Sequence, residues 1–400
     1  SCQALRQHNL EWITKGCIDF IKANKDKPFY FHLNPTVIHG PTIQNSIRGL
    51  PTRYTPEGIL PELDALQAAR EQVLPYLKEI GSKDQYREAG SVWLDQQVGR
   101  IMDTLRDEGL LENTVIFIMP DHNIEPGKAS VYEKGGRIPM IMYWKGKYEA
   151  NATSNDLVQL VDLLPTMRDL AGEPLSKEEL KKYELDGQSF LPALAGDPTN
   201  RRTETYTEFG YTRAINAQIG ANTVKYIAWR FPKWIIDKMK RSTQFGKAGQ
   251  MSYDDIRAKV SDPKFHAPNH LNMHKAHQPK FTMQIFPAYF EPDQLYVLNE
   301  NSAEQDNLAD NPEWATVVTE LKARLKRYTD QFDYSFDIDY TQNDPDSFIK
   351  SEQFKALVEN TRDFYKQKKN APYWYNGQWP PSIETQFPEW KTWPKKITSD

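Results

Sequence analysis

The chain has 400 residues, of which 39% are hydrophobic, 12% aromatic and 26% charged, with a formal net charge of −4. That length exceeds one small core and sets an expectation of two domains, or one large domain with appendages. A charge this close to zero leaves no basic footprint and argues against nucleic acid as the main partner. No apolar run reaches the ~18 residues of a membrane-spanning helix, so no membrane span is expected.

Cys2 and Cys17 are the only cysteines, too few for a disulfide framework. The first residues, SCQALRQHNL, carry neither a basic start nor an apolar stretch of the kind an export signal needs.

In chain order, Leu10, Ile13, Cys17, Ile18 and Ile21 recur at helical spacing and predict a helix over 9–24. KPFYFHL (27–33) reads as a strand of bulky aromatic residues running into the loop NPTVIHGP. Residues 41–85 are irregular and spaced by prolines, with a helical piece near 62–78. From Tyr86 a clear helix follows, with Leu94, Val98, Ile101 and Leu105 on one face and Gly109 near its stop. NTVIFIM (113–119) is a short continuous apolar run of the kind buried on both faces of a parallel sheet. RIPMIMYW (137–144) is a second strand. SNDLVQLVDLLPTMRDLAG (154–172) reads as a helix capped by Ser154 or Asn155 and closed by Gly172. Strands alternating with helices predict an α/β layer fold with a largely parallel sheet.

After about residue 200 the pattern changes. TETYTEFG, AQIGANTVKYIAWRF and QLYVL look like strands of a smaller, more antiparallel unit, and a helix over 312–329 carries Trp314, Val318, Leu321 and Leu325 on one face. Residues 232–284 are polar and rich in Lys, Pro and His, as an insertion would be. His266, His270, His274 and His277 concentrate there, and the favoured role is a polar border to a substrate cleft. Residues 335–400 are rich in aromatics and prolines and read as an extension draped over the surface. Arg213, Lys225 and Arg230 lie in the predicted strands and read as surface charges, with contact to an anionic substrate as the alternative.

The chemistry concentrates in IFIMPDHNIEPGKASVYEKGGRIP (116–139). Its apolar run ends at Asp121–His122, Lys128 follows in a Pro-Gly loop, and a second apolar run begins after Gly135–Gly136. Functional groups of parallel sheets gather beyond the C-terminal ends of strands. A carboxylate beside an imidazole there can ligate a divalent cation, and an ammonium swinging over the same spot would hold an anion with several oxygens, such as a sulfate or phosphate ester. His39, at another strand-to-loop junction, is placed to protonate a leaving oxygen. A solvated Asp-His turn and an exposed lysine are the plainer alternatives for each residue taken singly.

From about residue 9 to 330 the chain resembles the sulfatase family of the alkaline-phosphatase-like superfamily. The resemblance is carried by KPFYFHLNPTVIHGP, YREAGSVWLDQQVGRIMDTLRDEGLLENTVIFIMPDHN, GKASVYEKGGRIPMIMYWKG, LVQLVDLLPTMRDLAG, DGQSFLPALAGDP and QLYVLNENSAEQDNLADNPE, in that order. It implies an α/β alkaline-phosphatase-like sandwich with a largely parallel central sheet, plus a smaller C-terminal α+β subdomain with an antiparallel sheet. The expected domains are the C-terminal part of the α/β core over 1–205, the smaller subdomain over 206–334, and the extension over 335–400. By the same resemblance Asp121 and His122 would be ligands of one divalent cation, typically Ca2+, and Lys128 would contact the sulfate. His39 would contact it or serve the leaving oxygen. The family often has a further His where Thr36 stands.

The family's Asp-Asp pair and its Cys(or Ser)-x-Pro-x-Arg segment, whose first residue becomes formylglycine, do not appear in this sequence. CQALR (2–6) fits only a looser pattern and lies too near the later motifs to be that segment. The expectation is therefore a C-terminal portion of a sulfatase whose formylglycine comes from an N-terminal portion of the same precursor. The partners would be that portion and a sulfated carbohydrate substrate, in a secreted or periplasmic setting inferred from the family. Two alternatives stay open: a phosphomonoesterase or phosphonate monoester hydrolase of the same superfamily, and a non-catalytic glycan-binding homologue.

Overall fold

A computed structural model describes residues 8–39, 43–49, 51–82, 85–123, 127–128, 130–148, 150–197, 201–230, 286, 288–289, 291–298, 303–332, 336 and 338. The expected insertion at 232–284, its four histidines, and all of 335–400 except Phe336 and Ile338 lie outside these residues. The chain forms two compact units. Among the described residues, the first holds 8–116 and 142–148, and the second holds 117–141 and the residues from 150 onward. Residues on both sides of position 205 therefore share the second unit. One reason is local: Gln159 bonds both ways with the backbone of Tyr206, at 2.6 and 3.3 Å, and ties the earlier segment to the later sheet.

The first unit is helical. Helix α1 (Leu10–Asn24) starts where Asn9 accepts a hydrogen bond from the Trp12 N–H and caps it. Helix α2 (Ile43–Arg48), strands β1 (Tyr54–Thr55) and β2 (Gly58–Ile59), helix α3 (Gln67–Glu79) and the long helix α4 (Gln85–Asp107) follow. Apolar residues three and four apart give each helix one buried face. Leu10, Ile43, Val73, Leu77 and Trp93 meet in one cluster, and Cys17, Ile21, Ile101 and Leu105 in another. Inside the first cluster Glu11 and Arg70, both fully buried, form an ion pair, and Glu11 also accepts from the Trp93 indole at 2.8 Å. The aromatic run at 27–33 makes no strand among the described residues, since none of the described strands forms a ladder with it. Phe29 and Phe31 instead pack edge-on to Phe20 of α1, at 5.9 and 6.0 Å between ring centres.

Strand β3 (Ile116–Ile118) and strand β4 (Ile141–Tyr143) are shorter than the apolar runs that predict them and lie where the chain passes between units. Between them is the four-residue helix α5 (Glu133–Gly136). The helix expected over 154–172 is confined to α6 (Leu163–Leu170), preceded by a 3-10 turn at Leu160–Asp162. Pro165 explains the late start: it lacks an N–H and is tolerated only in a first helical turn. Asp162 caps the turn, accepting from the Gln159 N–H at 2.8 Å and from Arg202. Helices α7 (Lys177–Lys182) and α8 (Leu191–Leu194) complete this region.

The second unit is centred on an antiparallel sheet in the order β5 (Glu204–Phe209), β6 (Thr212–Ile219), β7 (Asn222–Trp229) and β8 (Asp293–Val297). Helix α9 (Ala315–Thr329) covers one face, where Leu321 and Leu325 meet Ile215, Val224, Tyr226 and Leu295. The other face packs Ala214, Ile227 and Tyr296 against Val131, Tyr132 and Phe286. Strand alternation therefore sends Lys225, like Ile227, toward the segment that follows Lys128.

Candidate active site

In the first unit, His39 ends a turn in which its N–H donates to the Thr36 carbonyl at 3.0 Å, and its side chain is exposed. Two contacts fix this turn. Gly90 of α4 lies so close to it that a Cβ there would stand 1.9 Å from the Ile38 Cγ2, so only glycine lets the helix and loop meet. His8, buried at the start of the unit, holds the loop by both ring nitrogens, with Nε2 2.8 Å from the His39 carbonyl oxygen and Nδ1 2.6 Å from Thr36 Oγ1. A carbonyl only accepts, so Nε2 carries the proton, and in the neutral ring Nδ1 accepts from the Thr36 hydroxyl.

In the second unit, Asp121 and His122 follow β3 directly and are exposed, at 83% and 43% of their side chains. Asp121 Oδ1 accepts from the His122 N–H at 3.0 Å, and His122 Nε2 lies 3.2 Å from Asp121 Oδ2. His122 Nδ1 lies 2.9 Å from the Asn123 carbonyl oxygen. A carbonyl only accepts, so Nδ1 carries a proton in that contact, while Nε2 and Oδ2 face each other at a distance that suits either an ion pair or two neighbouring ligands.

The side chains of Asp121 and His122 fit the cation expected from the sequence as two neighbouring ligands. Among the described residues no group of three or more His, Cys, Asp or Glu gathers around a common point, so these residues alone do not make a metal site. The donor chemistry does not single out calcium, which favours six to eight oxygens; imidazole suits zinc and other transition metals better.

Asn123, which sequence reasoning missed, laces this pair to the Lys128 loop. Its N–H approaches the Gly135 carbonyl at 3.4 Å and its side-chain amide donates to the Arg137 carbonyl at 2.7 Å. Gly135 is itself pressed against the loop: a Cβ there would lie 2.4 Å from the carbonyl oxygens of both Gly127 and Ser130. Ser130 closes the turn by donating to the Gly127 carbonyl at 2.6 Å. Lys128 is half-buried within it, and among the described residues no hydrogen bond or ion pair ties down its ammonium. Asp121, His122 and Lys128 are thus brought onto one small backbone knot of the second unit, while His39 belongs to the first.

Three cations read as surface charges are buried instead. Arg213 pairs with Glu208 at 3.1 Å, Arg230 with Asp293 at 2.6 Å, and Lys225 with Glu133 and Glu304 at 2.7 and 2.9 Å. Burial pushes the Glu133 carboxyl up, but Lys225 and Arg137, with a hydrogen bond from Asn216, bring it below its ordinary value. Burial and the neighbouring Glu133 charge hold Glu304 above its own. Lys225 interrupts an otherwise apolar stretch of β7 in which every residue from Val224 to Trp229 is buried.

Comparison with known proteins bears on this geometry. The Sulfatase family model matches residues 7–173, and the model described as N-sulphoglucosamine sulphohydrolase, C-terminal, matches residues 127–238. An ulvan-active sulfatase of Formosa agariphila is 28% identical over 263 residues, covering 64% of this chain and 40% of that protein. Arylsulfatase A of Homo sapiens is 28% identical over 229 residues, covering 54% of this chain and 37% of that protein. The chain therefore spans about two fifths of the length of these relatives. The crystal structure of Ps i-CgsB superposes with a TM-score of 0.51 at 16% identity, covering 90% of this chain and 61% of that one. The chain thus carries Sulfatase and N-sulphoglucosamine sulphohydrolase C-terminal matches over residues 7–238, is similar to these sulfatases, and has an α/β, alkaline-phosphatase-like fold.

Proposed function

We propose that the full-length protein hydrolyses a sulfate monoester on a carbohydrate, using one divalent cation held by Asp121 and His122, with Lys128 and His39 at the sulfate. The observation that carries this reading is the approach of His122 Nε2 and Asp121 Oδ2, 3.2 Å apart, within residues that match the Sulfatase family model. The relative named for activity on ulvan and the N-sulphoglucosamine sulphohydrolase match support a carbohydrate as the substrate class.

A cation bound there supplies Lewis-acid polarisation of the sulfuryl oxygens. Lys128 adds an ammonium that neutralises charge developing on the same oxygens. His39 protonates the departing alcohol oxygen. The nucleophile in this reading is formylglycine supplied by an N-terminal portion of the same precursor; similarity to sulfatases of which this chain spans about two fifths supports it. A secreted or periplasmic setting belongs to the same proposal; among the described residues no helix is long and apolar enough to cross a membrane.

The test is steady-state hydrolysis of an aryl sulfate and the matching aryl phosphate by the full-length protein. The reading expects the sulfate to be the better substrate and Lys128→Ala to lower kcat/KM by about 10²–10³-fold. Preference for the phosphate would move the assignment to a phosphomonoesterase or phosphonate hydrolase. Turnover of neither, with retained binding of sulfated glycan, would make the protein a binder.

A further inference from the structure

Lys128 has to place one charge accurately, yet among the described residues nothing holds its ammonium. The reach of that charge depends on where the backbone is held, and the backbone on its C-terminal side is tied to the antiparallel sheet. We infer that Lys225 is a positioning residue for Lys128: with Glu133 and Glu304 it clamps the Lys128 loop onto β7.

The side chain of Lys225 is 3% exposed. Its ammonium has three acceptors, the Val131 carbonyl at 3.1 Å, Glu133 Oε1 at 2.7 Å and Glu304 Oε1 at 2.9 Å, one for each N–H. Glu304 completes the ring with its other oxygen, accepting from the Glu133 backbone N–H at 2.8 Å. The clamp thus grips Val131 and Glu133 at once, three and five residues beyond Lys128. Between them, Tyr132 stacks on Phe286 with ring centres 3.8 Å apart and donates its hydroxyl to Gln294 of β8 at 2.7 Å. Gly135 then presses back on Gly127 and Ser130, so the fixed segment reaches both sides of Lys128.

The inference rests on the role proposed for Lys128, and the test separates the two. Lys225→Met alone strands two buried carboxylates, so the working variant is the charge-compensated Lys225→Met/Glu133→Gln/Glu304→Gln. Tyr132→Phe, which removes one hydrogen bond and no charge, is the second. Each is made in the full-length protein, with and without Lys128→Ala, and read by sulfate-ester kinetics below the unfolding transition.

The expected result is a fall in kcat/KM of ~10²-fold for the clamp variant, mostly in kcat, and a smaller fall for Tyr132→Phe. In the Lys128→Ala background both should change kcat/KM by less than about twofold, because the misplaced group is already gone. Equal factors in both backgrounds, or no fall in either, would overturn the inference and leave a structural brace. If the wild-type protein turns over no sulfate ester, the proposed function fails, and amide hydrogen exchange across 127–136 decides the clamp. Exchange accelerated there alone supports it; unchanged or uniformly accelerated exchange overturns it.

Discussion

The imidazole of His8 donates a 2.8 Å hydrogen bond to the carbonyl of His39, across 31 residues of chain. The same ring accepts from Thr36 at 2.6 Å, so one buried side chain spans the whole turn that presents His39. Thr36 occupies a position where the family often has another histidine, and here its hydroxyl serves this bond.

His8→Ala leaves the His39 carbonyl without its donor and should cost about 1–3 kcal/mol of stability. His8→Gln, whose amide can still donate, should recover part of it. If His8 and Thr36 act as one unit, a double-mutant cycle with Thr36→Val will show a coupling of about 0.5–3 kcal/mol in thermal or denaturant unfolding. Strictly additive effects would mean that the ring does not act through Thr36.

His39 as proton donor predicts a dependence on leaving group. His39→Ala should lower kcat/KM by about 10²–10⁴-fold on a sugar sulfate, whose alcohol leaves poorly as an anion. On a nitrophenyl sulfate, whose phenolate leaves unaided, the same substitution should do much less. Equal losses on both substrates would assign His39 to sulfate binding instead.

The Glu11–Arg70 pair predicts an asymmetry in stability. Arg70→Met strands a buried carboxylate and should destabilise the first unit by about 3–5 kcal/mol. Glu11→Met/Arg70→Met removes both charges and should lose less than the single variant, although the Trp93 indole then lacks its acceptor. A double variant less stable than Arg70→Met would show that Glu11 contributes mainly through Trp93.

Cys17 is buried, and burial pushes its thiol up to about 12. Only the thiolate is nucleophilic, so native protein at pH 8 should resist iodoacetamide at this position for hours and react once unfolded. Modification within minutes in native buffer would contradict the packing of α1 against α4.

The parts of the fold legible in the sequence were those with local causes. Leu10 to Ile21 and Leu94 to Leu105 mark α1 and α4 by spacing alone, and the short runs joined by the Gly220–Ala221 turn mark β6 and β7. Residues 27–33 failed because strand formation needs a neighbour, which aromatic content does not supply. The helix at 154–172 was overextended because periodicity outweighed Pro165. Asp121, His122, Lys128 and His39 stand out in the sequence by the reactive groups they carry and their order, and their roles remain part of the proposal. His8, Asn123 and Lys225 escaped because their partners are distant in sequence or are backbone carbonyls. Lys225 reaches Val131 across 94 residues, which no local pattern encodes.

The account's central claim is that Asp121 and His122 hold a divalent cation. Its most direct test is elemental analysis of the dialysed full-length protein, wild type against Asp121→Ala and His122→Ala, each checked for native folding by circular dichroism. The expected result is a single tightly held divalent cation per wild-type molecule and its loss from both variants, with the identity of the metal deciding between calcium and a transition ion. A wild-type protein free of metal, or folded variants that retain it in full, would contradict the claim.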